Sequence, residues 1–286
     1  MNKLRHLVFA IIVLVVNCGF AAPKMDSTIV DDEKILLGIA QQISQSRFKD
    51  AIQDSLNQML VDEFKRVLKK ESAFVYSFPQ LKEEVSIVTS PNEQVRIFTW
   101  YTVGDAGNYH YSGFLLYYNK PEKKILTFEL NDCSQTIENY QAQTLNHQNW
   151  FGMIYYDIIE KKSDGDVIYT LLGWDGNSLY TTKKIVEPLV FTAKGQPRFG
   201  KMAIKFGRKK MKRLVFEYNK RATMMIQYDS NLDMIVMDHL AVFGTQDTDN
   251  PMFFGPDMSY DALQFDDGMW IYLSNIDYKR PKQKKR

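Results

Sequence analysis

Two cysteines are all that this 286-residue chain contains, and one of them, Cys18, falls inside an apolar leader. Beyond the leader Cys133 stands alone, so no internal disulfide can form and the fold must be held by its core. The expected setting for that lone thiol is a buried one. Histidine is scarce as well. His110, His147 and His239 are far apart in sequence, which excludes the close ligand spacing of a zinc site. No Gly-x-Ser-x-Gly elbow and no glycine-rich phosphate loop ahead of a Lys occurs. The apolar run from Leu7 to Val16 falls short of the roughly 20 residues that span a bilayer. No metal, no cofactor and no transmembrane span is therefore expected.

What is present begins with that leader. Lys3 and Arg5 give a basic start, the apolar run follows, and Gly19, Ala21 and Ala22 supply small residues. This is the layout of a secretory signal over residues 1–22, with cleavage after Ala21. Val15-Val16-Asn17-Cys18 offers an alternative, lipidation at Cys18, although Asn17 stands where a small residue is usual. The chain is thus expected to be exported, periplasmic or secreted, with a lipid-anchored envelope protein as the alternative.

Charge is unevenly placed. Of 36 basic residues two lie in the leader and six in the tail 279–286, leaving 28 against 34 acidic ones in the body. An acidic body argues against nucleic acid as a partner. The basic tail is expected to be solvated and disordered, with contact to an anionic envelope surface as its functional reading.

Two periodicities divide the rest. Over residues 28–72, Ile35, Leu36, Ile39 and Ile43 and then Phe48, Ile52, Leu56, Met59, Leu60, Phe64, Val67 and Leu68 recur at helical spacing. Acidic residues stand near the start and Lys69-Lys70 at the end, as the helix dipole favours. Over residues 73–278 about ten stretches rich in Val, Ile, Tyr, Phe and Thr follow. Asp164-Gly165, Asp175-Gly176, Ser230-Asn231 and Asp267-Gly268 stand between them as turns. Short connections predict antiparallel neighbours. The expected fold is α+β: an N-terminal helical hairpin or bent helix packed on a large antiparallel β sandwich or partly closed barrel, all one globular unit.

Three stretches carry a resemblance. Val95-Arg96-Ile97-Phe98-Thr99-Trp100, Tyr169 to Asn177 (YTLLGWDGN) and Phe254 to Ala262 (FGPDMSYDA) resemble an uncharacterised family of exported proteins from Bacteroidetes. The resemblance implies export and a single architectural unit, and no activity comes with it.

Candidate chemistry is thin. Asp229-Ser230-Asn231-Leu232-Asp233 opens like a calcium loop, but Met234 and Leu240 stand where Gly and Glu are needed. Residues 254–261 read as a loop in which Asp257, Tyr260 and Asp261 could grip sugar hydroxyls. The plainer reading is that these carboxylates accept backbone N–H groups in a tight corner. Trp174-Asp175 invites the same two readings. Adjacent aromatics such as Trp100-Tyr101, Tyr117-Tyr118, Trp150-Phe151 and Tyr155-Tyr156 place one ring on each face of a strand. The outer rings are either covered by the helices or free to stack on a ligand. The leading expectation is a non-catalytic binding or assembly protein of the cell envelope that recognises a glycan or protein partner. A carboxylate-dependent hydrolase around Asp257 and Asp261 is the alternative, and a structural protein without ligand is a third.

Overall fold

A computed structural model describes residues 28–163, 165–244 and 249–280. The leader with Cys18, and the tail beyond Arg280, lie outside the described residues. Helices α1 (Ile29–Gln45) and α2 (Asp50–Val67) form the expected hairpin, followed by the single turn α3 (Ser72–Val75). Asp31 and Asp32 occupy the first turn of α1, and Lys65 and Arg66 the last turn of α2, each favourable to the helix dipole. The bend comes at Ser46 to Lys49. Phe48 takes φ +62° there, and its N–H donates to the Val103 carbonyl at 3.0 Å.

The buried face of α2 is rotated from the expected stripe. Phe48, Ile52 and Met59 are exposed, while Gln53, Leu60, Val61, Phe64 and Val67 are buried. Gln53 can be buried because it is bonded at both ends. Its Oε1 accepts from Val103 N at 2.6 Å, and its Nε2 donates to the Ile43 carbonyl at 3.0 Å.

Strands β1 (Ser86–Thr89), β2 (Val95–Val103), β3 (Tyr109–Asn119) and β4 (Lys124–Asn131) make a first sheet in sequential order. β5 (Ile154–Ser163), β6 (Asp166–Asp175), β7 (Thr181–Phe191) and β8 (Pro197–Phe199) begin a second. β9 (Ile204–Phe206) and β10 (Lys209–Met211) belong to a third, before β11 (Leu214–Asn219) returns to the edge of the second against β7. β12 (Ile226–Asp229), β13 (Met234–Val242), β14 (Phe254–Asp266) and β15 (Met269–Leu273) complete the third, in the order β10-β9-β15-β14-β13-β12. One pairing departs from the antiparallel expectation: β15 runs parallel to β9. The more than sixty residues between them supply the long connection that a parallel pair needs.

The sheets stack and do not close into a barrel. Phe64, Phe78, Phe98, Trp100 and Phe114 fill a first core between the helices and the first sheet. Ile97, Leu115, Trp150, Tyr155, Leu171 and Ile185 fill a second core between the first and second sheets. Ile159, Leu172, Val186, Ile235, Leu263 and Trp270 fill a third core between the second and third sheets. The second sheet is therefore buried on both faces. Leu171 and Leu172, like Ile185 and Val186, serve opposite cores from adjacent positions.

This layering decides the aromatic pairs. Trp100, Tyr118 and Tyr156 face one core while Tyr101, Tyr117 and Tyr155 face another, and Tyr101, Tyr117, Tyr118 and Tyr156 stay only half-buried. Trp150 and Phe151 are both buried and precede β5 rather than lying in it. Cys133 is half-buried, in the connection after β4, where its Sγ approaches the Gln148 carbonyl at 3.6 Å.

Candidate functional site

The stretch 254–261 is a strand, not a loop. β14 pairs with β13 on one side and β15 on the other, and its register against β13 shifts between Asp238 and Leu240. The residues absorbed by that shift are Asp257, Met258 and Ser259, with Met258 at φ +76° and 91% exposed. Asp257 closes this bulge by accepting from Ser259 N at 2.9 Å and Ser259 Oγ at 2.7 Å. Those bonds hold its carboxyl below the usual carboxylate range.

Asp261, four residues further, is buried. It accepts from Asn275 N at 2.9 Å, from the Tyr272 hydroxyl, and pairs with His239 Nδ1 at 2.7 Å. Burial, then the Asp261 carboxylate, pushes the Tyr272 phenol above its ordinary range. Tyr260 packs edge-on to Tyr278 at 5.3 Å, with the Arg280 guanidinium over its ring. Arg280, read in the sequence as part of a solvated tail over 279–286, also pairs with the buried Asp238. Both candidate carboxylates thus accept backbone N–H groups, Asp257 from Ser259 and Asp261 from Asn275.

The other candidate pair lies at the end of β6. Asp175 is buried and accepts from the Tyr111 hydroxyl and from Asn177 N, each at 2.7 Å. The Lys183 ammonium lies 3.7 Å from its second oxygen. Burial raises the Asp175 pKa, with Lys183 and Tyr111 working against it. Burial, then the nearby Asp175 charge, drives the Tyr111 phenol far up, so it stays a hydrogen-bond donor. Beside this anchor Trp174, Tyr101 and Tyr109 are half-exposed, with ring centroids 5.3 to 5.8 Å apart.

Gly176 makes the arrangement possible. A Cβ there would lie 2.4 Å from the Tyr109 ring, so only glycine lets that ring rest on the turn. Two cations border the rings. Lys220 donates to the Gly176 carbonyl at 2.6 Å and stands 4.6 Å from the Tyr109 centroid, and Arg47 donates to the Tyr101 hydroxyl at 2.8 Å.

Of the five site residues read from the sequence, Trp174 and Asp175 share one site, and Asp257, Tyr260 and Asp261 share another on the third sheet. The sequence names Tyr101 only as one of several aromatic neighbours that could stack on a ligand, and gives no sign of Tyr109, Tyr111 or Lys220. The pattern places Tyr109 and Tyr111 on one face of a strand, but nothing local joins them to a turn more than sixty residues on. Asp229 and Asp233 serve their own turn and its neighbours: Asn231 N and Tyr278 donate to Asp229, while Lys161 and Tyr228 engage Asp233. Among the described residues no group of three or more His, Cys, Asp and Glu could hold a metal ion. No helix of the described residues is long and apolar enough to cross a membrane. Comparison with family models, with curated proteins and with solved structures finds no match to this chain.

Proposed function

We propose that this is an exported, non-catalytic binding protein of the cell envelope that recognises a glycan on the aromatic platform of Tyr101, Tyr109 and Trp174. One observation carries the reading: three half-exposed rings converge at the end of β6, over a buried Asp175–Tyr111 anchor that fixes their positions. Sugar rings present C–H faces that pack on aromatic rings, and their hydroxyls accept from cations such as Arg47 and Lys220 at the platform edge. Anchored aromatics lose little conformational freedom on binding, so the contact area is not offset by ordering cost. Residues 1–22 supply the route out of the cytoplasm in this reading, with cleavage after Ala21 or lipidation at Cys18 deciding whether the protein is free or tethered.

Tryptophan fluorescence tests it directly. Trp100, Trp150 and Trp270 are buried, which leaves Trp174 as the tryptophan a ligand can touch. Titration with oligosaccharides released from envelope polysaccharide and peptidoglycan should shift the emission saturably. Trp174→Ala should abolish the shift and the binding while leaving thermal unfolding nearly unchanged. Retained binding in Trp174→Ala, or no response to any envelope saccharide, would overturn the proposal.

A further inference from the structure

The first sheet extends beyond the helical layer above it. α2 packs on β2 and β3 through Phe64, whose ring meets those of Phe98, Trp100 and Phe114 at 5.0 to 5.7 Å. β4 stands beyond that contact, and its Thr127 on the helix side of the sheet is exposed. A trough of about 790 Å³ results, between the end of α2, α3 and the β3–β4 hairpin. That volume lies within the roughly 300–1,000 Å³ of small-molecule sites. The floor is apolar, built from Phe74, Phe114, Leu116 and Ile125.

The rim has the opposite character. Lys65, Lys69, Lys70, Lys123 and Lys124 border the trough, against Glu71 and Glu129. Three of these lysines are engaged with carboxylates: Lys65 with Glu129 at 2.9 Å, Lys70 with Asp32, and Lys124 with Glu122. Among the described residues Lys69 and Lys123 pair with no carboxylate. A further cation lies in the sheet beside the trough, outside its lining. Arg96 stands opposite Leu116 in the register of β2 and β3, is 3% exposed, and has no carboxylate partner among the described residues. The Ala73 and Phe74 carbonyls accept from its guanidinium at 3.2 and 2.9 Å. The trough therefore joins an apolar floor to two rim lysines that pair with no carboxylate among the described residues.

We infer that this trough binds a long-chain fatty acid as its anion, with the acyl chain along Tyr118 and Ile125 and the carboxylate at Lys69 and Lys123. Three of the four floor residues come from the one strand pair β3 and β4, which suits a single chain rather than a diacyl lipid. A carboxylate is also the acid this rim already holds, at Lys65–Glu129. The inference is independent of the glycan reading, since the two sites share no residue.

Calorimetric titration of the full chain with octanoate, decanoate and dodecanoate, below their micelle concentrations, tests it. One site per chain is expected, with affinity rising about fourfold for each added methylene buried. The dodecanoate methyl ester should bind about tenfold more weakly than the acid, as should the acid to Lys69→Glu/Lys123→Glu. Thr127→Trp should fill the trough and abolish binding, and Trp174→Ala should leave it intact. Affinity that ignores chain length, an ester that binds as well as the acid, or full binding by Thr127→Trp would each overturn the assignment. Should Thr127→Trp melt early, the charge-reversal pair and the ester series decide alone.

Discussion

Two acid-centred networks are built on the second sheet and differ chiefly in access to water. At the end of β6, Asp175 is held by Tyr111 and Lys183 beside three half-exposed rings. In the middle of β7, Glu187 pairs with Arg213 and accepts from the Tyr155 hydroxyl at 2.6 Å, which itself accepts from Trp150 Nε1 at 2.8 Å. Glu187, Arg213, Tyr155 and Trp150 are all fully buried. Both networks combine an acid, a phenol and a cation. The sealed one has no route for a ligand, so its chemistry can only hold layers together. Perturbed acids and paired charges are common to both, and the open rim of aromatics is what separates a candidate site from a core.

The sharpest way to break this comparison is to unpair the sealed network. Arg213→Met leaves Glu187 without its cation in a dry interior, and should cost about 3–5 kcal/mol in urea denaturation. The double variant Arg213→Met/Glu187→Gln should recover a large part of that loss, because the cost lies in the orphaned charge rather than in the missing pair. Were the single variant nearly neutral, Glu187 would have to be reached by water, and the distinction drawn from access would collapse.

The same sheet holds a cation with no acid partner among the described residues. Lys184 on β7 lies 4.0 Å from the Tyr156 ring centroid, and burial pulls its pKa down to about 8. A lysine depressed in the folded state binds its proton more weakly there than in the unfolded chain. Stability contributed through this group therefore rises as pH climbs from about 8 towards its unfolded value, and the cost of the charged form is fully present below 8. Lys184→Met should accordingly stabilise the protein by about 2 kcal/mol at pH 7, with the gain shrinking between pH 8 and 10. Chemical denaturation of both proteins across that range reads it. A loss of stability at pH 7 would mean that Lys184 is compensated, and would put it with the paired cations.

How far the sequence reaches follows from the range of each signal. The helical hairpin and strands such as β2, Val95–Val103, are legible because periodicity is local. The adjacent pair Leu171-Leu172 already hints at a strand buried twice, yet the third core that Leu172 enters is built with Leu263 and Trp270 from far along the chain. The amphipathic phase of α2 departs from its sequence pattern because Phe48 and Ile52 are apolar but exposed, while Gln53 is polar but bonded at both ends. The stretch 254–261 looked like a loop because Gly255-Pro256 is a turn signal. β14 accommodates both residues opposite Leu240 and Ala241, just before its bulge. Of the candidate site, Trp174-Asp175 was visible as a polar turn beside a tryptophan, whereas its partners Tyr101, Tyr109 and Tyr111 come from a different sheet.

Loosening the open network should cost less than breaking the sealed one. The Tyr111 hydroxyl donates to Asp175 and accepts from Gly176 N at 2.7 Å. Tyr111→Phe removes both bonds and should destabilise by about 1–2 kcal/mol in urea denaturation. Because Gly176 supports the Tyr109 ring, saccharide affinity at Trp174 should fall as well. Unfolding measurements paired with the fluorescence titration separate the two effects. A stability loss without any change in binding would leave the anchor structural only.

The smallest effect is expected where the sequence most suggested chemistry. Asp257 is exposed on its bulge and bonded to Ser259, and those bonds depress its pKa. A depressed carboxyl contributes its stability above the unfolded pKa and loses it as pH falls through the folded one, so any contribution is present at neutral pH and fades in acid. Exposure to water keeps it small. Asp257→Ala should change stability by less than about 0.5 kcal/mol at pH 7, and should leave saccharide binding untouched. The informative result would be the reverse: melting unchanged but binding lost. Recognition would then belong to the third sheet, where Met258 stands out into solvent beside His239 and Asp261, and the aromatic end of β6 would be only a well-packed corner.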